Sequence, residues 1–148
     1  VVSDTHGSLD PRLLQEFSGV SLIVHAGDIE RPSDGIIEEL EALAPVRAVE
    51  GNTDSFPPGL LPVEARLEVA GVRFYVRHDL GALRRDSVDD ADVVVAGHTH
   101  RPDIRQVDGA LLVNPGSISR SRTSDGVNTA AIITLGPGGP SARILYFP

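Results

Sequence analysis

Leu22-Ile23-Val24-His25-Ala26-Gly27-Asp28 is a nearly unbroken apolar run that stops at a turn dipeptide and an acidic side chain. Such a run, closed by glycine, reads as a strand buried on both faces, the kind found in parallel sheets. The same pattern recurs on either side of it. Upstream, Val1-Val2 leads into Ser3-Asp4, and Asp10-Pro11 opens a helix with Leu13, Leu14 and Phe17 along one face. Downstream, Ser33 is expected to cap a second helix in which Ile36, Ile37, Leu40 and Leu43 share a side. Val46 to Val49 is the next strand and ends at Gly51-Asn52. Strand, helix, strand, helix, strand in that order predicts parallel strands joined by right-handed crossovers. A central strand made only of Val1-Val2 would be short, so further apolar residues are expected to precede it.

After Pro57-Pro58-Gly59 the rhythm changes. Leu67–Val69 and Val72–Val76 flank Ala70-Gly71, and Ile104–Val107 and Ala110–Val113 flank Asp108-Gly109, both hairpin signatures. A short helix is expected over Leu80–Arg85, and Val93-Val94-Val95-Ala96 is another doubly buried strand. Two last strands, Thr129–Leu135 and Ala142–Phe147, flank a Gly/Pro turn over 136–140. The fold class is therefore α/β: two packed mixed β-sheets flanked by helices, a four-layer αββα sandwich, in a single domain spanning 1–148.

Composition narrows the chemistry. The 148 residues carry a net charge of −8 and no cysteine, methionine or lysine. An acidic chain is a poor general binder of nucleic acid or anionic membranes, although Arg84-Arg85 or Arg120-Ser121-Arg122 can still grip one phosphate. No stretch approaches the roughly 20 apolar residues of a membrane-spanning helix. A cytoplasmic setting is expected. Without sulfur ligands, any metal must be held by oxygen and imidazole nitrogen. Asp4, Asp28, Asn52 and His98 each follow the end of an expected strand, and in open α/β sheets that edge is where ligand sites form. Gathering carboxylates and imidazoles there without a cation would be costly.

Asp4-Thr5-His6, Gly27-Asp28, Gly51-Asn52-Thr53-Asp54, His78 and Gly97-His98-Thr99-His100, in this order, resemble the calcineurin-like metallophosphoesterases. With the closing Asn114-Pro115-Gly116-Ser117, they resemble the small bacterial and archaeal phosphodiesterases of that superfamily. The resemblance implies two divalent metal ions, with Mn favoured and Fe, Zn or Ni as alternatives. It assigns Asp4, His6, Asp28 and His100 to the first metal. Asp28, Asn52, His78 and His98 fall to the second, with Asp28 bridging cations about 3.5–4 Å apart. Asn52 and His98 also count as catalytic in this carry-over. The implied reaction is hydrolysis of phosphate esters, chiefly phosphodiesters, by a hydroxide bridging the metals. The substrate would be a small phosphate ester or a nucleotide.

Thr53 departs from the pattern, standing where many relatives carry Cys and distant phosphatases a catalytic His. A threonine hydroxyl is a poor acid, so no proton donor is assigned there. Arg77 and Asp79 flank His78 where small residues are usual, and the Ser/Arg-rich stretch 119–126 is irregular for the family. His25, inside a buried strand, reads as a hydrogen-bonded support for the site, Asp54 as a buttress of its loop, and Arg101 or Arg77 as a contact for substrate phosphate. Asn114–Ser117 is expected to support the histidine loop, and Asp86–Asp92 to be a solvated face. Two other functions share these motifs: a non-catalytic protein-interaction scaffold of the same fold, and a nucleotide phosphoanhydride hydrolase.

Overall fold

The structure, a computed structural model, describes residues 1–82 and 90–148. The run that opened the sequence reading becomes β1 (Ile23–His25), fully buried and paired in parallel with β2 (Val46–Ala48). Val2 bridges His25 on the other side of β1. Val1 then exchanges hydrogen bonds with Ala131, at 2.7 and 3.0 Å, which joins β8 (Asn128–Gly136) and its hairpin partner β9 (Gly139–Phe147) to the same layer. The second sheet has the order β3-β4-β5-β7-β6. Its centre, β4 (Val72–Arg77), β5 (Val93–Val95) and β7 (Ala110–Pro115), is parallel, and hairpins with β3 (Glu64–Val69) and β6 (Pro102–Val107) close both edges. Both hairpin turns have positive φ at their two central residues, Ala70-Gly71 and Asp108-Gly109, as the tightest hairpins require.

Alternation along each strand divides the core in two. Val24, Phe74, Val95, Val113 and Ala131 meet between the sheets. Ile23 and Ala130 point the other way, onto Leu13, Phe17, Ile36 and Leu40 from the helices. Each fully buried side chain of this size stabilises the fold by about 1.5–3 kcal/mol. α1 (Arg12–Glu16) follows Pro11, and Asp10 accepts the Arg12 N–H at 3.0 Å. α2 (Ile36–Glu41) corrects one expectation. Ser33 lies in a 3-10 turn, Pro32–Asp34, and Gly35 with φ 71° takes the cap position.

On the outer face of the second sheet, Tyr75, Val94 and Ala110 form a small third cluster with Leu80. The helix expected over 80–85 is described only as the 3-10 turn Leu80–Ala82. Arg84-Arg85 and most of the acidic stretch lie outside the described residues. Among the described residues, no helix is long and apolar enough to cross a membrane.

Candidate metal centre

The loops that leave β1, β2 and β5 at their C-terminal ends, together with the one after Val2, converge on one polar cluster. Ligand atoms of Asp4, His6, Asp28 and His100 all lie within 4.8 Å of one another. His100 Nε2 is 3.1 Å from Asp4 Oδ1 and 3.2 Å from His6 Nε2. Beside them, His78 Nε2 stands 3.3 Å from Asp28 Oδ2 and 3.1 Å from Asn52 Oδ1, and His98 Nδ1 is 2.9 Å from that same amide oxygen. All seven side chains nominated from the sequence are thus brought together, Asp28 standing between the two groups.

Hydrogen bonds behind the imidazoles fix where their protons sit. His6 Nδ1 faces Glu30 Oε1 at 3.0 Å, His78 Nδ1 faces the Ala26 carbonyl at 2.7 Å, and His100 Nδ1 faces the Arg120 carbonyl at 2.6 Å. Each of those partners only accepts, so each Nδ1 carries the proton and Nε2 is turned inward. In neutral rings, inward-facing lone pairs then meet carboxylate oxygens and one another. Asp4 Oδ1 is buried and accepts no hydrogen bond. Burial pushes Asp4 above the usual carboxylate range, more than Ser3, His78 and His100 pull it back. For His78, burial acts downward, but the Asp28 and Ala26 contacts prevail and raise it. A cation resolves every one of these oppositions, and the oxygen and imidazole donor set suits a divalent metal.

The backbone is bent to make this possible. Asp4, His6, Asp28, Glu30, His98 and His100 all have positive φ, between 44° and 98°. Such conformations cost about 1–3 kcal/mol each and cluster where function demands a geometry. They also settle the two imidazoles spaced two residues apart. His98 and His100 lie in the loop between β5 and β6, so strand alternation does not separate them. Asn114 Nδ2 holds this loop by donating to the Gly97 carbonyl at 2.8 Å and to Thr99 Oγ1 at 3.1 Å. Ser117 Oγ donates to the Asp4 carbonyl at 2.7 Å.

Asp54 faces backbone and not the cluster. Its carboxylate accepts N–H groups from Asp28, Ile29, Glu30 and Gly51, at 2.5–3.2 Å, tying two loops together. Glu30, which orients His6, went unnoticed in the sequence because it belongs to no spaced motif. Arg101 is exposed, and Arg77 pairs with Glu64 at 3.2 Å while lining, with Asn52, His78 and Asp79, a neighbouring cavity of about 240 Å³. Arg120 and Arg122 line the cavity of about 280 Å³ over the other members of the cluster, together with His6, Asp28, Thr53 and His98.

His25 is fully buried behind the site. Its Nδ1 accepts the Gly27 N–H at 3.2 Å, so Nε2 carries the proton, given to Thr5 Oγ1 at 3.1 Å. Burial, with a smaller effect of His78, lowers this imidazole from 6.5 to about 3. The folded protein therefore binds fewer protons here than the unfolded chain between those values. The stability His25 contributes is whole above pH 6.5 and is lost as pH falls toward 3. His25→Asn keeps an acceptor for Gly27 and is expected to flatten the acid-side decline of the denaturation midpoint. Parallel declines in the two proteins would exclude His25 as a source of acid sensitivity.

Comparison with known proteins shows the family. Residues 1–137 match the calcineurin-like phosphoesterase superfamily domain, and the chain belongs to that superfamily. It is 37% identical over 138 residues to a probable metallophosphoesterase of Methanothermobacter thermautotrophicus, covering 84% of this chain and 79% of that one. Among solved structures, a novel archaeal phosphodiesterase matches with a TM-score of 0.68 at 22% identity, covering 97% of each chain. Wild-type Vps29 of Entamoeba histolytica, complexed with Zn²⁺, matches with a TM-score of 0.69 at 18% identity, covering 99% of this chain and 97% of that one. At such identities the two structures show a common fold.

Proposed function

We propose that this chain is a dinuclear-metal-dependent phosphodiesterase acting on a small phosphate ester or nucleotide in the cytoplasm. The observation that carries it is the convergence of inward-facing imidazole nitrogens on Asp4 and Asp28, with Asn52 and His98 beside them. Asp4, His6, Asp28 and His100 would hold one cation; Asp28, Asn52, His78 and His98 would hold the other. Mn²⁺ is the favoured metal for such mixed oxygen and nitrogen ligation. When bound, two such cations supply Lewis acidity toward phosphoryl oxygens and acidify water near neutral pH.

The protein's own part is positioning. His98 and Asn52 are the exposed members of the cluster and meet the entering phosphoryl group. Asp4 Oδ2 accepts the His98 N–H at 3.1 Å, which fixes that side of the site. Thr53, also exposed, spends its N–H on Asp28 Oδ1 at 2.9 Å and offers only a hydroxyl to the cavity. The leaving oxygen thus departs without the factor of about 10²–10⁴ that a positioned acid contributes. Activated aryl diesters are expected to be good substrates and alkyl diesters poor ones.

The test is an assay of Mn²⁺-loaded and chelator-treated protein on aryl phosphodiesters of graded leaving-group acidity. Turnover by the loaded protein alone, falling steeply as the leaving group becomes more basic, is the expected result. A rate insensitive to the leaving group would refute the role given to Thr53. No turnover by protein shown to carry two metals would refute the phosphodiesterase reading and favour the scaffold.

A further inference from the structure

The stretch 119–126, irregular for the family, is built against the metal centre. The Arg120 carbonyl accepts the His100 Nδ1–H at 2.6 Å, and the Arg122 N–H donates to the His100 carbonyl at 3.2 Å. The Arg120 N–H donates to Ser117 Oγ at 2.8 Å, the same hydroxyl that holds Asp4. Beyond, Ser121 and Thr123 bond to each other at 2.7 Å, and Thr123 donates to Asp125 at 2.6 Å. The backbone is therefore pinned, and Arg120 and Arg122, both exposed, line the cavity that holds His6, Asp28 and His98.

Their charge is unspent. Arg12, Arg66, Arg73, Arg77 and Arg105 pair with Asp10, Asp90, Asp92, Glu64 and Asp103. Among the described residues, Arg31, Arg47, Arg101, Arg120, Arg122 and Arg143 have no carboxylate ion pair, and of these Arg120 and Arg122 line the cavity over the metal centre. The metal centre does not need them for neutrality. Two divalent cations would be offset by the Asp4 and Asp28 carboxylates, a diester monoanion and one further anion from solvent. Two further cations at the same cavity answer to a second anionic group.

We propose that Arg120 and Arg122 form a subsite for a second phosphate, so that the preferred substrates are phosphodiesters bearing another phosphoryl group, such as a phosphorylated nucleotide ester. This rests on the phosphodiesterase reading for turnover, but not for binding. Arginine suits the task, since its planar fork binds phosphate with paired charge-assisted hydrogen bonds.

The experiment uses Mn²⁺-loaded protein and two pairs of probes. The 5′-p-nitrophenyl phosphate of thymidine is compared with the same ester carrying a 3′-phosphate, and thymidine 5′-monophosphate is compared with thymidine 3′,5′-bisphosphate in calorimetric binding. The added phosphate is expected to lower KM and Kd by about tenfold. In Arg120→Gln/Arg122→Gln both ratios should collapse toward one, and Arg120→Lys/Arg122→Lys should restore part of them. Circular dichroism and the melting temperature check that each variant folds. Equal binding of the two nucleotides by wild type overturns the subsite, as does an equal loss on both probes in the Gln variant, which would place the arginines on the scissile phosphate. A binding preference without turnover of either ester supports the subsite and refutes the phosphodiesterase reading.

Discussion

Asp28→Ala is expected to lower metal-dependent diester hydrolysis by at least about 10³-fold, more than the 10–100-fold typical of losing a group that merely supports a metal ligand. Its Oδ2 faces both His78, at 3.3 Å, and His6, at 3.8 Å, so one carboxylate serves both halves of the cluster. Its Oδ1 accepts the Thr53 N–H at 2.9 Å. Burial alone would push this carboxyl up, but hydrogen bonds from His78 and Thr53 hold it well below the usual carboxylate range. It therefore stays ionised at any working pH. Asp28→Asn retains an acceptor for Thr53 while removing the charge. Equilibrium dialysis with Mn²⁺ should show both variants losing bound metal, with Asp28→Asn keeping a native circular dichroism spectrum. Full metal stoichiometry in Asp28→Asn would show that the two halves do not share this group.

The second large effect is expected at Gly51. A Cβ there would overlap the Asp28 backbone nitrogen and Oδ1, and Gly27 is as tightly placed, its own Cβ position lying 2.9 Å from Gly51 Cα. The loops after β1 and β2 thus touch backbone to backbone, which is how Asp28 and Asn52 come within reach of one site. Gly51→Ala must part them, at a cost of about 3 kcal/mol or more for so rigid an obstacle, and metal affinity should fall with stability. Gly136→Ala is the control, since nothing lies within 4 Å of the added carbon. Its change should stay within about 0.5 kcal/mol. Urea denaturation and Mn²⁺ titration of the two variants measure both. A Gly51→Ala protein as stable as the control would show that these loops can move apart freely.

The features legible in the sequence are those written in local chemistry. Leu22–Ala26 and Val93–Ala96 announce buried strands, and Ala70-Gly71 and Asp108-Gly109 announce hairpins, because burial and turn geometry act within a few residues. The meeting of Asp4, Asp28, Asn52 and His98 followed from their shared position at strand ends. What escaped was set by tertiary geometry. Glu30 reaches His6 from a separate loop, both residues having positive φ. Gly35 displaced Ser33 as the helix cap once Pro32 began its own turn. Arg101, adjacent to the histidine pair, looked better placed than Arg120, yet the loop after β7 folds back and brings the later arginines to the cavity. Distance along the chain was a poor guide there.

One consequence concerns how such a site can be retuned. The contacts that orient His100 come from the backbone of Arg120 and Arg122, so the side chains at these two positions are free of that duty. Exchanging them should alter which molecules are accepted while leaving the His100 imidazole where it is. With the proposed subsite, positions 120 and 122 would form a two-letter dial for substrate choice, separable from catalytic competence, and a small saturation library there is the natural starting point for redirecting the protein.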